Sequence, residues 1–412
     1  MANLFCGIDW GESRHDVAII DQAGSVVGRL KISADAAGFT EILALLAEHG
    51  DTADDQIPVA IETDRGLLVA ALRSTGRAVY PLNPLAASRY RARHQVSGAK
   101  ADATDAVLLA NILRTDRDAH RPLPADTELA QAIRVLARAQ QDAVWSRQRL
   151  GNQIRSLLKD FYPVAIDAFA GLPKGGLARS EARTILAAAP TPAQAAKLTR
   201  TKLRALLIKS GRKRWIDDEV ERLFAVFRGD EYLRQPSVVE DAMGIQLVAL
   251  LTQFDAACRA ADDLETAARE HFDQHPDAAV INTFPGLGTL LGARVLAEIG
   301  DDRTRFTDAR GLKAFAGSAP VTRSSGKKTV ITYRRIKNNR LAATGSLWAL
   351  SALKASPGAH RHYQARRDRG DWNHQAQRHL FNKFLGQLHH CLQTGASYDE
   401  THAFPPPIEL AA

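Results

Sequence analysis

The chain has 412 residues, 45% of them apolar and 24% charged, with a formal net charge of +8. This length exceeds one ordinary hydrophobic core, so we expect two or three domains. No apolar run is long enough to cross a bilayer, and Asp9 and Glu12 interrupt the N-terminal apolar stretch, which argues against a signal peptide. The 3 scattered cysteines exclude a disulfide framework or a cysteine-based zinc cluster and fit a reducing cytoplasm. The basic balance favours a polyanionic partner.

Hydrophobic patterning predicts an α/β domain at the N-terminus. Apolar runs predict strands at 4–9, 17–21, 26–32, 57–61 and 78–80, the last closed by a turn at 81–84. A helical period predicts helices at 36–49, between Gly66 and Gly76, and from 102 onward. The first three strands, joined by short turns, predict an antiparallel meander followed by βα units. This order is that of the ribonuclease H-like fold, whose chemistry lies at the ends of the first and fourth strands.

Four carboxylates fall where this fold would bring them together. Asp9 and Glu62 end the first and fourth strands, and Asp102 and Asp105 share one face of the next helix. Converging carboxylates repel one another unless a cation lies between them, and Mg²⁺ takes oxygen ligands while leaving positions open for phosphate. Taken singly, Asp102 is a helix N-cap, Asp105 a first-turn dipole partner and Glu62 a solvated strand end. The agreement of all four positions with one fold favours a metal site.

The middle of the chain is helical and basic. Apolar residues recur at three- and four-residue steps over 129–158 and again over 239–275, which predicts two long amphipathic helices. They would pair as an antiparallel, coiled-coil-like stalk, or with a second subunit. Between them, 171–236 contains shorter helical patches and a cationic run at 209–215. This run is either a solvated face or a nucleic-acid contact to which Trp215 adds a stacking ring.

Glycines and cations dominate two motifs of the C-terminal third. The stretch 284–293 predicts either a helix-hairpin-helix turn that binds DNA phosphate or a plain αα-hairpin. The stretch 314–329 predicts a flexible loop in which Ser324 and Ser325 precede a glycine among cations. Such a serine suits attack on a phosphodiester if a base, cation or metal activates it, whereas Ser-Ser-Gly alone is usually a turn. The residues expected to contact nucleic acid are Gly286, Gly288, Arg323, Lys327, Lys328, Arg334, Arg335 and Lys337.

Together these motifs resemble those of the one-ten family of insertion-sequence transposases, the DEDD recombinases guided by a bridge RNA. The resemblance covers 4–110 and 280–359. Its motifs lie at 7–9, 61–63, 83–84, 100–106, 285–288, 297–301, 315–320 and 325–326. By this resemblance the metal-binding acids are Asp9, Glu62, Asp102 and Asp105, and the metal is Mg²⁺ or Mn²⁺. The nucleophile is Ser325, with the adjacent Ser324 as its competitor.

The resemblance implies a three-part chain. It places a RuvC-like, ribonuclease H-like domain at 1–120, a helical coiled-coil stalk with a basic insert at 121–279, and a mostly helical transposase domain with the helix-hairpin-helix-like element at 280–412. The serine would form a covalent phosphoserine intermediate with DNA, assisted by the metal-binding acids. The implied partners are donor and target DNA, a noncoding bridge RNA, and further copies of the chain in a homodimer that assembles into a homotetramer. No membrane is involved, and the expected location is the bacterial cytoplasm, on the nucleoid during activity.

Two other functions fit the same residues. A metal-dependent, junction-resolving nuclease would use the four acids with water as the nucleophile, so that Ser325 would be dispensable and no covalent adduct would form. A non-catalytic nucleic-acid-binding protein would tolerate the loss of any one acid and would need no metal.

Overall fold

The computed structural model describes residues 4–94, 102–170, 176–229, 232–326 and 328–405, with the backbone alone at His94, Asp102 and Ala103. The chain divides into two units, Met1–Ala125 and Asp126–Ala412. Within the described ranges, no helix is long and apolar enough to cross a membrane.

The first unit is a mixed α/β structure. It begins with strands β1 (Phe5–Trp10), β2 (Arg14–Ile20) and β3 (Val26–Ser33) and helix α1 (Ala36–Glu48). It continues with β4 (Val59–Ile61), α2 (Leu67–Ser74), β5 (Val79–Pro81), α3 (Pro84–His94), α4 (Asp102–Asp116) and a 3₁₀ turn at Arg117–Ala119. Among the described residues these five strands form one sheet in the order β3-β2-β1-β4-β5. Strands β1 to β3 are antiparallel and β4 and β5 run parallel to β1, which is compatible with the predicted ribonuclease H-like fold.

Alternation along β1 sends its side chains into two separate cores. Cys6 and Ile8 lie in a core on one face of the sheet, and Phe5 lies in the core on the other face, together with Leu109 of α4. Gly7 also lies on the α4 face, where a Cβ would come within 2.0 Å of a backbone oxygen of α4. The missing side chain therefore lets α4 pack directly on β1.

Helix α3 follows the turn predicted at 81–84 and covers residues for which the hydrophobic pattern predicts no helix. Pro84 occupies its first position, where the missing N–H would have no helical partner in any case. The side chain of Asn83 accepts a 2.8 Å hydrogen bond from the N–H of Leu85 and so fixes the start of the helix. Arginines at 89, 91 and 93 leave α3 without a clear apolar stripe, which explains why the pattern does not predict a helix here.

The second unit is mostly helical. Its first part contains α5 (Glu128–Phe161), α6 (Pro163–Ala170), a 3₁₀ turn at Gly176–Ala178, α7 (Ser180–Ala188), α8 (Pro192–Ala196), α9 (Arg200–Lys209), α10 (Ile216–Val226) and α11 (Ser237–Asp273). Its second part contains α12 (Asp277–Ile281), α13 (Thr289–Ile299), α14 (Ala309–Phe315), β6 (Val321–Ser325), β7 (Lys328–Thr332), α15 (Asn339–Ala355), α16 (Pro357–Asp368), α17 (Asn373–Thr394) and α18 (Glu400–Ala403).

The long helices α5 and α11 pack antiparallel within the chain. Ile133, early in α5, shares a core with Phe272, late in α11. Leu158, late in α5, shares another core with Leu247, early in α11, and this second core is completed by helices α6 to α10. The first core also contains the C-terminal helices α13 to α17, so stalk and C-terminal helices belong to one unit. The predicted division into 1–120, 121–279 and 280–412 remains a prediction about independently folding domains.

Candidate active site

Two of the predicted acids lie at the carboxyl ends of neighbouring strands of the first unit's sheet, Asp9 within β1 and Glu62 directly after β4. Strand β1 pairs in parallel with β4, with Ile8 opposite Ile61. Asp9 directly follows Ile8 and Glu62 directly follows Ile61, and both side chains are half-buried. Because side chains alternate along a strand, Asp9 faces the same side of the sheet as Gly7 and α4. The structure therefore places the two carboxylates at a common edge.

The third predicted acid, Asp105, lies near the start of α4 and is only 4% exposed. Helix α4 contacts β1 at Gly7 through the carbonyl oxygen of Ala106, the residue after Asp105. Asp105 thus lies on the same side of the sheet as Asp9. Its Oδ1 accepts a 2.6 Å hydrogen bond from Arg91 of α3, and this ion pair offsets the cost of burying the carboxylate. The backbone of Asp102 begins α4, but its side chain lies outside the described residues.

A further carboxylate, which the sequence analysis did not select, lies directly across from Asp9. Asp16 pairs with Asp9 in the β1–β2 ladder, so the two side chains share one face. Like charges at directly opposite positions destabilise a sheet. The Nζ of Lys31, on the neighbouring strand β3, lies 3.4 Å from the Oδ2 of Asp16 and compensates for that charge. The short turn between the first two predicted strands fixes this pairing and could have predicted it.

These acids suit a hard divalent cation in their chemistry. Carboxylate oxygens are the ligands that Mg²⁺ and Mn²⁺ prefer. Among the described side chains, no three of His, Cys, Asp or Glu form a group that could hold a metal ion, and Asp102 lies outside that set. The acids at the carboxyl ends of β1 and β4 therefore fit such an ion in the kind of ligand atoms they offer.

The serine motif forms a β-hairpin in the second unit. Strands β6 and β7 pair antiparallel from Val321 opposite Thr332 to Ser325 opposite Lys328. The expectation of a flexible loop is wrong, because β-branched residues on both arms favour strands and Gly326, with φ of +56°, permits a tight turn. Ser325 is thus the last residue of β6, and Lys327 lies outside the described residues.

The two serines face opposite sides of this hairpin. Ser325 lies opposite Lys328 and two residues from Arg323, so it shares its face with both cations. Ser324 lies opposite Thr329, and their two hydroxyl oxygens are 3.1 Å apart. Ser325 is exposed at the hairpin tip. The side chain that stands next to two cations is therefore the one at 325.

The glycine turn before α13 is packed against α15. Gly286 has φ of +78°, and a Cβ there would lie 2.5 Å from the backbone nitrogen of Ala352. The Nε1–H of Trp348 donates a 3.0 Å hydrogen bond to the carbonyl of Pro285. Gly288 is exposed, with open space around its Cα, at the N-cap of α13. The first glycine is explained by helix packing, and the second leaves the helix start accessible to an anion.

Glu298, a carboxylate in the motif at 297–301, is buried and hydrogen-bonded to side chains of two other helical segments. Glu298 of α13 is 3% exposed, and its two oxygens accept 2.8 Å hydrogen bonds from the guanidinium of Arg138 on α5. Asn338, the N-cap of α15, donates a third bond of 2.6 Å. Burial alone would raise the pKa of Glu298, but these hydrogen bonds and the charge of Arg138 outweigh it and hold the pKa below its usual value. Glu298 therefore ties α13 to α5 and α15.

Two segments of the chain, one containing the acids and one containing the serine hairpin, match known transposase families. Residues 6–163 match the family model of DEDD transposases of IS110, and residues 278–364 match the transposase family IS116/IS110/IS902. The chain is 61% identical over 409 residues to the mini-circle transposase for IS117 of Streptomyces coelicolor, covering 99% of this chain and 98% of that protein. The chain belongs to the IS110 family of insertion-sequence transposases. More distant relatives are the 43.6 kDa protein of insertion element IS110 from Streptomyces coelicolor and the 42 kDa protein of IS900 from Mycobacterium paratuberculosis. They are 27% and 26% identical and cover 99% and 96% of this chain and 98% and 97% of their own length.

This transposase is therefore a DNA recombination enzyme, and its two family matches correspond to the two groups of residues described above. The first match contains the four acids, and the second contains the glycine turn and the serine hairpin. Helices α7 to α10, with the cationic run at 209–215, lie between the two matched segments.

Proposed function

We propose that this transposase cuts and rejoins DNA through a covalent bond to Ser325, assisted by a divalent metal that the DEDD acids hold. The family match supports transposition of an insertion sequence. The observation that carries the choice of nucleophile is the hairpin register, which gives Ser325 a face shared with Arg323 and Lys328. Cations on that face attract a phosphodiester and stabilise the alkoxide character that a serine develops during attack.

The register also favours Ser325 over Ser324. The hydroxyl of Ser324 is within hydrogen-bond distance of Thr329 on the opposite face of the hairpin. To attack the same phosphate, Ser324 would have to break that contact and turn to the other face of a paired strand. Ser325 needs no such rearrangement, because it is exposed at the tip.

In the proposed reaction, each step forms one phosphate ester bond and breaks another. The Oγ of Ser325 attacks the phosphorus, a serine–phosphate ester forms, and the bond from phosphorus to one sugar oxygen breaks. That oxygen leaves as a hydroxyl and takes up the proton that the serine gives up. A sugar hydroxyl of another DNA end then attacks the phosphoserine and releases the serine. Each step exchanges one phosphate ester for another, so strand joining needs no external energy source.

The acids of the first unit supply the second part of the proposal. Asp9, Glu62, Asp102 and Asp105 would hold Mg²⁺ or Mn²⁺, which when bound would lower the charge on the phosphate and stabilise the leaving oxygen. Support comes from the common β1–β4 edge and from the position of Asp105 on the same side of the sheet. Arg91 holds the carboxylate of Asp105 in place through their hydrogen bond.

The partners in this proposal are nucleic acids and further copies of the chain. Donor and target DNA follow from the transposase family, and the cations at Arg323, Lys328, Arg334, Arg335 and Lys337 would contact phosphates. A noncoding bridge RNA that pairs with both DNAs, and a dimer that assembles into a tetramer, complete the proposal on the resemblance alone. The bacterial cytoplasm, with the nucleoid as the working location, remains the predicted setting.

Single-residue variants test the two parts separately. Strand cleavage of element-end DNA would be measured with Mg²⁺ and with chelator for Ser325→Ala and for Asp105→Asn. Both variants should lose cleavage, and Ser325→Ala, at an exposed position, should keep the unfolding transition of the wild type. Ser74→Ala and Asp116→Asn are matched controls, because Ser74 and Asp116 are exposed and Asp116 ends the same helix as Asp105. Cleavage that persists in Ser325→Ala, with Mg²⁺ still required, would replace this mechanism with that of a metal-dependent nuclease.

A further inference from the structure

A cavity lies in the second unit at the base of the serine hairpin. It has a volume of about 240 Å³ and lies between the segment after β7 and helices α15 and α17. Its lining includes Gly317 and Ser318, which belong to the motif at 315–320 that the proposed chemistry leaves unexplained. A volume of this size holds several water molecules. Such a space is too small for duplex DNA and large enough for part of one nucleotide.

The charge of the cavity is strongly positive. Arg334, Lys337 and Arg378 all line it, and no Asp or Glu is among its lining residues. Among the described residues, none of these three cations forms an ion pair within 4.0 Å, whereas other arginines of this unit, such as Arg134, Arg138 and Arg340, do. The Nε of Arg334 is buried without a hydrogen-bond partner. A buried guanidinium nitrogen without an acceptor is costly, and the other N–H groups of this guanidinium can donate charge-assisted hydrogen bonds to a phosphate oxygen.

One wall of the cavity is aromatic. Tyr333 directly follows β7, is 54% exposed and lines the opening. The guanidinium of Arg335 lies 5.8 Å from the centre of its ring. Phe381 lies at the buried side, and the lack of a side chain at Gly345 makes room for its ring, which a Cβ there would approach to 2.3 Å. An exposed ring beside cations is the combination that binds an unstacked base and its phosphate.

We propose that this cavity binds one unstacked nucleotide of a DNA strand, with its phosphate on Arg334, Lys337 and Arg378 and its base on Tyr333. This proposal rests on the proposed function in one respect, because it takes the bound strand to be the one that Ser325 attacks. The arm of β6 from Val321 to Ser325 is about 14 Å long, which corresponds to about four base pairs of B-form DNA. The bound nucleotide would therefore lie within a few positions of the cut.

The first test measures DNA binding without chemistry. Full-length protein carrying Ser325→Ala would be titrated with a labelled duplex that contains one unpaired nucleotide. Adding Arg378→Gln should weaken binding about tenfold, because one charged hydrogen bond is lost. Arg259→Gln, which removes the same charge from an exposed position of α11, should change the affinity less than about twofold. Equal losses for the two substitutions would overturn the proposal, since they would reflect overall charge.

The second test asks whether a base enters the cavity. The same duplex would be compared with one whose unpaired position is abasic, in protein with Tyr333, Tyr333→Phe and Tyr333→Ser. The base should strengthen binding about tenfold with Tyr or Phe and have no effect with Ser. No difference between the two duplexes with Tyr333 would overturn the proposal. A difference seen only with the corresponding RNA would also overturn it and assign the cavity to RNA. All arms use Ser325→Ala protein, so failure of the serine mechanism does not affect the result.

Discussion

Replacing Gly7 with alanine tests how closely the position of Asp105 depends on one backbone contact. The new Cβ would lie 2.0 Å from the carbonyl oxygen of Ala106 and 2.5 Å from the backbone nitrogen of Ala110. Both atoms belong to the backbone of α4, so no side-chain rotation relieves the overlap. The helix must move by about 1.5 Å to restore an ordinary contact distance. Metal–oxygen distances tolerate only about 0.2 Å, so such a shift of α4 would displace Asp105 by more than the proposed metal site allows.

We expect Gly7→Ala to lower metal-dependent DNA cleavage about 100-fold, as for a 1 Å misplacement of a catalytic group. The free energy of unfolding should fall by about 1–3 kcal/mol from overpacking. The assay is the cleavage rate at several Mg²⁺ concentrations, together with urea unfolding. Gly28→Ala on β3 is the matched control, because the nearest atom to its new Cβ is the Nε2 of the His49 side chain at 2.8 Å, which can rotate away. Cleavage by Gly7→Ala at the wild-type rate would refute the reasoning.

Three further predictions concern stability and reactivity. Glu298→Ala should lower the free energy of unfolding by about 2 kcal/mol, less than for a fully buried pair because Arg138 is 42% exposed. The exposed Glu265→Ala, a partner of Arg269 in an i,i+4 pair, should cost at most about 0.5 kcal/mol. Burial and neighbouring cations lower the pKa of His362 to about 4. The free energy of unfolding is therefore highest above pH 6.5, where the imidazole is neutral in both states, and it falls as the pH drops from 6.5 toward 4 because only the unfolded state takes up the proton. Urea unfolding of His362→Phe should therefore depend less on pH across that range than the wild type. Cys6 is fully buried and its pKa is raised to about 12 by burial, so iodoacetamide should modify it only in unfolded protein.

Each of these predictions has an outcome that would contradict it. Equal effects of Glu298→Ala and Glu265→Ala on unfolding would show that the buried carboxylate network contributes little. A pH profile unchanged in His362→Phe would mean that this imidazole is not held neutral by the fold. Rapid alkylation of Cys6 in native protein would mean that β1 opens readily at neutral pH.

Much of the first unit could be predicted from the sequence, because its strands are short, apolar and separated by turns. Continuous apolar runs such as the one ending at Ile61 can only be buried in a sheet with both faces covered. The strand order then brings Asp9 and Glu62 to one edge. Helix α3 could not be predicted in this way, since Pro84 begins it and arginines interrupt its apolar stripe. Arg91, the partner of Asp105, was missed along with that helix.

The second unit was less predictable because its decisive features are pairings between distant or irregular segments. The periodicity of the two long helices predicts an antiparallel pair, and they form one. The serine hairpin depends on a register of five residue pairs that local propensity does not specify, and Ser-Ser-Gly alone predicts a turn. The cavity at Arg334 and Arg378 joins residues far apart in sequence, so only the folded structure brings them together.

The most direct test of the central proposal is to trap the protein–DNA bond. Wild type, Ser325→Ala and Ser324→Ala would be incubated with Mg²⁺, labelled element-end DNA and RNA transcribed from the flanking noncoding region, and then separated on a denaturing protein gel. The serine mechanism predicts label on the wild type and on Ser324→Ala, and none on Ser325→Ala. Label that persists on Ser325→Ala, or cleaved DNA with no label on the wild type, would contradict it.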